Sequence, residues 1–240
     1  MNFNLKQNII YEDIDFLIVN KPAGLLVHPT KYQKENTLVD FLKKYYPKIT
    51  VVGEKERPGL VHRLDQDVSG LMVVAKNKKS YESLTGQFKN HQVKKEYLGL
   101  THGCPSQEKG TVDFPLARTK KGKLVAVKYE APVVERSAFT TGRGKLKMKK
   151  RAETKYEVIS TCGGSAGGGK KYALLKIEPL TGRTNQIKIH LGAIGCPLVE
   201  VADRVFLHAS TLGFYDLKGE WRGFKIDLPE ELKEFLKKIR

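Results

Sequence analysis

The stretch Val61-His62-Arg63-Leu64-Asp65-Gln66-Asp67-Val68-Ser69-Gly70-Leu71 sets a polar loop between two apolar, strand-like runs. Loops held between rigid flanks are where reactive side chains tend to sit. Taken alone, Asp65 and Asp67 admit an acid/base pair, a metal site, or a structural aspartate beside a turn-former, because i, i+2 spacing within one loop is unspecific. A kinase catalytic loop is excluded: Leu64 separates Arg63 from Asp65, and neither a glycine-rich phosphate loop nor D-F-G accompanies them.

Outward from this loop, helical and strand periodicities alternate irregularly. Phe16 to Asn20 reads as a buried strand, Lys21-Pro22-Ala23-Gly24 as a turn, and Leu25 to Val27 as a second short strand. With Asn36 as N-cap, Leu38, Phe41, Leu42 and Tyr45 recur at helical spacing until Pro47 stops them. Leu71 to Lys76 and Glu96 to Thr101 are strands on either side of a helical face carried by Tyr81, Leu84 and Phe88. Thr154 to Ser160 and Lys171 to Glu178 predict two strands joined by the glycine-rich run 163–169, which lacks both P-loop and G-x-G-x-x-G spacing. A helix is expected from Thr184 to Gly195, with Ile187, Leu191 and Ile194 on one face, and a last helix carries Leu232, Phe235, Leu236 and Ile239 after Pro229. The pattern predicts an α+β fold, a single domain over residues 1–240 with one core.

Charge says more about partners than about fold. The chain has 240 residues, with 43 Lys+Arg against 26 Asp+Glu, hence a formal charge of +17. A polyanion gains free energy by releasing counterions to such a surface, so nucleic acid leads as partner. The run Gly142 to Arg151 (GRGKLKMKKR) reads as a basic hairpin able to track a phosphate backbone, or else as a solvated surface. At 40% hydrophobic residues the chain can bury a core, and no apolar run approaches the roughly 20 residues of a membrane span. Without a signal-like N-terminus, a cytoplasmic protein without membrane partners is expected. Cys104, Cys162 and Cys196 are odd in number and far apart, which fits ordinary thiols rather than disulfides or zinc ligands.

Together with Asn20-Lys21-Pro22-Ala23-Gly24-Leu25-Leu26-Val27-His28-Pro29, the H-R-L-D loop ending in S-G-L resembles the RNA pseudouridine synthases of the RluA type. Further blocks agree in order: Lys95-Glu96-Tyr97 with the family's K-x-Y strand, Thr181 to Leu191 with T-G-R-T-H-Q-I-R-x-H-L, and Arg204 to Ala209 with R-x-x-L-H-A. The chain departs from the pattern at Asn185, where His is usual, at Lys188, where Arg is usual, and in a shortened loop after Val199. The family pattern begins near Ile9, so the N-terminal S4-type domain of many relatives is expected to be missing.

The resemblance implies a mixed, mostly antiparallel central sheet with flanking helices and an RNA-binding cleft. It implies isomerisation of uridine to pseudouridine in ribosomal or transfer RNA, with Asp65 as catalytic residue, no cofactor and no metal, in a monomer. Such an aspartate must stay ionised in a desolvated pocket, and a nearby cation favours the charged form; Lys188 matches that cation. The resemblance assigns Tyr97 to the uracil, Arg63 to the space left by a flipped base, Arg183 to phosphate, and His62 to ordering the loop. Flipping costs a few kcal/mol, and an aromatic platform returns about 1–3 kcal/mol per base. Two rivals stand beside this reading: a catalytically weak RNA-binding or ribosome-assembly factor retaining the fold, and a metal-dependent nuclease or glycosidase using Asp65 and Asp67.

Overall fold

A computed structural model describes residues 3–32, 34–120, 122–127, 147–163 and 171–239. The chain forms two compact units: one of Met1–Leu98 with Glu200–Lys238, the other of Gly99–Val199 with Ile239–Arg240. The first segment contributes β1 (Ile9–Glu12), β2 (Phe16–Lys21), α1 (Leu38–Tyr45), β3 (Gly53–Glu54), β4 (Arg57–Pro58), β5 (Ser69–Ala75), α2 (Lys78–Lys89) and β6 (Lys94–His102). The middle segment contributes β7 (Lys109–Val112), β8 (Leu116–Arg118), β9 (Leu124–Ala126), β10 (Lys147–Lys150), β11 (Thr154–Cys162), β12 (Tyr172–Pro179) and α3 (Gln186–Ala193). The last adds β13 (Glu200–Val201), β14 (Arg204–Val205), β15 (Leu207–Tyr215), β16 (Trp221–Lys225) and α4 (Glu230–Ile239).

In the first unit the strand order is β1-β2-β5-β15, with β16 paired to β15. Neighbours are antiparallel except β5 and β15, which run parallel, so the sheet is mixed but mostly antiparallel. All seven residues of β5 are buried, which is why its sequence is a continuous apolar run rather than an alternation. Against it β2 buries Phe16, Leu17, Ile18 and Val19, each at most 2% exposed. Each such side chain contributes roughly 1.5–3 kcal/mol. The Phe16 ring meets Phe214 of β15 edge-on at 5.0 Å. In the second unit β7, β11 and β12 form antiparallel pairs, and a separate sheet has the order β10-β8-β9.

Most expected elements form, with three differences. The short strand at Leu25–Val27 is absent, because its carbonyls are engaged elsewhere. Leu25 O accepts from the Lys21 ammonium at 2.9 Å, and Leu26 O and Val27 O receive the N–H groups of Leu38 and Val39 at the start of α1. Thr37, one residue after the expected cap, starts that helix: its N–H and hydroxyl both donate to the Asp40 carboxylate at 2.9 Å. The helix expected from Thr184 begins at Gln186, because Asn185 is left-handed at φ 53° and cannot extend it. Of the basic run, Lys147–Lys150 is a strand paired to β8, while 142–146 lie outside the described residues, as does 164–169 of the glycine-rich run. The three cysteines are free thiols. Among the described residues no helix is long and apolar enough to cross a membrane.

Candidate active site

Sheet register places the H-R-L-D loop. Gly70, which enters β5, lies opposite Ala209 of β15, with φ +124°. A Cβ there would sit 2.3 Å from the Ala209 carbonyl oxygen, so the S-G-L motif requires glycine. Beside it Ser69 joins two other motif residues. Its hydroxyl accepts from Arg204 Nη2 at 2.6 Å and therefore donates to His208 Nδ1 at 2.7 Å. Arg204 also pairs with Glu231 at 2.9 Å and donates to Leu207 O at 3.1 Å. Burial, helped by the Arg204 charge, lowers the His208 imidazole to about 4 and keeps it neutral.

The middle of the loop is stitched to the K-P-A-G turn. Lys21 is fully buried, and its ammonium donates to Pro22 O (2.8 Å), Leu25 O (2.9 Å) and Gln66 O (3.2 Å). Gly24 N–H donates to Gln66 O at 2.8 Å, and the Gln66 carboxamide returns to Gly24 O at 3.0 Å. Leu64 and Val68 are buried on either side, leaving Asp65 and Asp67 half-buried and Arg63 exposed at the loop surface.

Of the expected site residues, the first unit holds Asp65, Tyr97, Arg63 and His62. Burial, and after it the negative charge of Asp65, push the Tyr97 phenol above its usual range, so the β6 tyrosine lies within the electrostatic reach of the loop carboxylate. His62 orders the loop. Its ring stacks on Phe88 at 4.5 Å, and Nε2 accepts the Val73 N–H at 3.0 Å. That bond requires the lone pair, and burial, helped by the Lys95 charge, brings the imidazole down to about 3. Arg63 Nη1 rests 2.9 Å from His28 Nε2.

The second unit holds Arg183 and Lys188 in the T-G-R-T-N-Q block. Gln186 is its hub: Oε1 accepts from the Thr181 hydroxyl (2.7 Å) and the Arg183 N–H (3.0 Å), while Nε2 donates to Glu153 O and Thr154 Oγ1, both at 2.9 Å. His190 donates from Nε2 to Phe114 O and accepts the Thr154 hydroxyl at Nδ1, each at 2.9 Å. These groups face inward and hold the turn. The exposed Arg183 donates from Nε to Arg151 O at 3.0 Å. It shares with Arg118 and Lys150 the lining of a cavity of about 360 Å³, floored by Leu116 and Leu124. Lys188 is half-buried on α3, between the buried Ile187 and Leu191.

Sequence reasoning missed Lys21, His28 and the Ser69–Arg204–His208 cluster as supports of the site. For Lys21 the signal was present: a lysine closing an otherwise apolar strand, directly before a turn. Among the described residues no group of three or more His, Cys, Asp or Glu side chains is placed to hold a metal.

A mixed sheet bearing a tightly held Asp loop points to a class, and comparison with known proteins shows which. The family model described as RNA pseudouridylate synthase matches residues 15–193. The uncharacterized RNA pseudouridine synthase YlyB of Bacillus subtilis is 34% identical over 246 residues, covering 97% of this chain and 73% of that protein. A ribosomal large subunit pseudouridine synthase D of Zymomonas mobilis is 32% identical, over 96% of this chain and 72% of its own length. Human RNA pseudouridylate synthase domain containing 1 superposes with a TM-score of 0.70 at 25% identity, covering 94% of this chain and 84% of that one. The chain belongs to the RNA pseudouridine synthase family. It is therefore an isomerase that modifies RNA.

Proposed function

We propose that Asp65 carries out the isomerisation, on specific uridines of structured ribosomal or transfer RNA. The N1–C1′ bond breaks, the uracil turns, and C5–C1′ forms; C5 loses its proton and N1 gains one, with no net redox change. An ionised carboxylate serves either as nucleophile or as the base that removes a sugar proton. What supports this reading is the electrostatic effect of Asp65 on the Tyr97 phenol of β6, from a loop held at Gln66 and Ser69. Tyr97 offers the face on which the flipped uracil stacks, and Arg63 fills the gap it leaves.

The resemblance gives Lys188 the part of the cation that keeps the carboxylate charged. Lysine offers a point charge where arginine offers a planar fork. Lys188→Arg should therefore retain activity, while Lys188→Met should lower kcat for tritium release. Arg183, Arg118 and Lys150 are suited to phosphates, and Lys149 and Arg151 extend the same basic stretch. The enzyme works as a cytoplasmic monomer, without metal or cofactor. The name of the Zymomonas relative favours ribosomal RNA over transfer RNA.

Tritium release from RNA labelled at uridine C5, in the presence of a chelator, tests the chemistry. Release is expected, whereas a metal-dependent nuclease or glycosidase would cleave the RNA or free the base with the C5 label still in place. Mapping pseudouridines in ribosomal and transfer RNA from cells with and without the gene identifies the substrate.

A further inference from the structure

His28 follows the stretch whose carbonyls cap α1. Val27 O accepts the Val39 N–H at 3.1 Å, so the backbone leading into His28 is fixed by a helix start. The side chain is 8% exposed. Its Nδ1 lies 2.9 Å from the Pro29 carbonyl, which only accepts, so Nδ1 carries the proton. Nε2 then presents a lone pair, and the Arg63 guanidinium donates to it at 2.9 Å. Arg63 is exposed and stands two residues before the half-buried Asp65 on the same loop.

We propose that His28 is a positioning residue: as a neutral acceptor it holds the Arg63 guanidinium in the orientation that receives RNA, and its protonation releases that grip. This rests on the reading that RNA is engaged at Asp65. A protonated Nε2 would face the arginine donor with another donor. The charged groups facing His28 are Arg63 from the loop and, from β4 and β3, Arg57 and Glu54. Burial, reinforced by the two arginines and opposed by Glu54 and the Pro29 bond, holds the imidazole below its usual value, which keeps it neutral near neutral pH.

The test is a double-mutant cycle between His28→Phe and Arg63→Ala, read as kcat and KM for tritium release, with His28→Gln as conservative variant. Near pH 8, His28→Phe is expected to lose about tenfold in kcat/KM, the equivalent of one charge-assisted hydrogen bond. It should lose nothing further once Arg63 is alanine. His28→Gln, whose carboxamide oxygen accepts at any pH, should recover most of the loss. Its KM should stay flat as the pH falls below the ordinary histidine value of about 6.5, whereas the wild-type KM rises as imidazole takes up a proton. Thermal midpoints of the variants monitor folding. Losses that add in the cycle, or a wild-type KM with no acid dependence beyond that of His28→Gln, would overturn the proposal. Absence of tritium release by the wild type would instead overturn the RNA reading, and the proposal with it.

Discussion

The H-R-L-D loop of the first unit and the T-G-R-T-N-Q block of the second are both polar segments pinned by buried hydrogen bonds, yet they are pinned differently. In the block, two polar side chains are consumed: both ends of Gln186 and both nitrogens of His190 are engaged within the unit, while Arg183 is exposed. In the loop, His62 and Ser69 are bonded at the shoulders and the Gln66 carbonyl in the middle, and Asp65 and Asp67 are half-buried between the buried Leu64 and Val68. Motif membership therefore does not mark chemistry. Histidine and glutamine in the block do structural work, whereas in the loop the structural residues flank two half-buried carboxylates, Asp65 and Asp67.

The sharpest way to break this contrast is at the loop's hinge. Gly70→Ala sets a Cβ against the Ala209 backbone at positive φ and should cost about 3–5 kcal/mol, measured by urea unfolding. A smaller loss is expected from Gln186→Leu, which strips partners from Thr181, Arg183 N–H and the Glu153 carbonyl. It should destabilise by about 2–4 kcal/mol. The same variant sharpens the comparison if its folded fraction still releases tritium, since the block is then support rather than chemistry.

Acid provides the gentlest probe. His62 and His208 have folded values of about 3 and about 4, below the roughly 6.5 of an unfolded histidine. Below that unfolded value the unfolded chain binds more protons than the native one. Stability from these histidines is thus fully present above about pH 6.5 and is lost as pH falls toward their folded values. The thermal midpoint should drop by several degrees between about pH 7 and about pH 5, and less steeply in His208→Gln. Equal slopes in the two proteins would mean that His208 is not held neutral by the Ser69–Arg204 cluster.

Periodicity made β2, β5, α2, α4 and the β11–β12 pair readable, because a continuous apolar run or a 3.6-residue stripe leaves few alternatives. Leu25–Val27 misled for a definite reason: its apolar letters suit a strand, but its carbonyls are claimed by Lys21 and by α1, a tertiary arrangement that no window of sequence contains. Asn185 delayed α3 through its backbone conformation, which its neighbours do not announce. The resemblance singled out Asp65 and Tyr97, whereas His28 became visible only through its partner Arg63, which lies 35 residues away.

The claim at the centre of this account is that the first unit's loop presents one reacting carboxylate. Its most direct test compares Asp65→Asn with Asp67→Asn in the same loop, each assayed for tritium release under single-turnover conditions and for RNA affinity. Asp65→Asn is expected to fall to background while binding RNA within a few-fold of wild type, since phosphate contacts supply most of the affinity, and Asp67→Asn should keep its turnover. Measurable turnover by Asp65→Asn, or an equal loss in Asp67→Asn, would contradict the assignment.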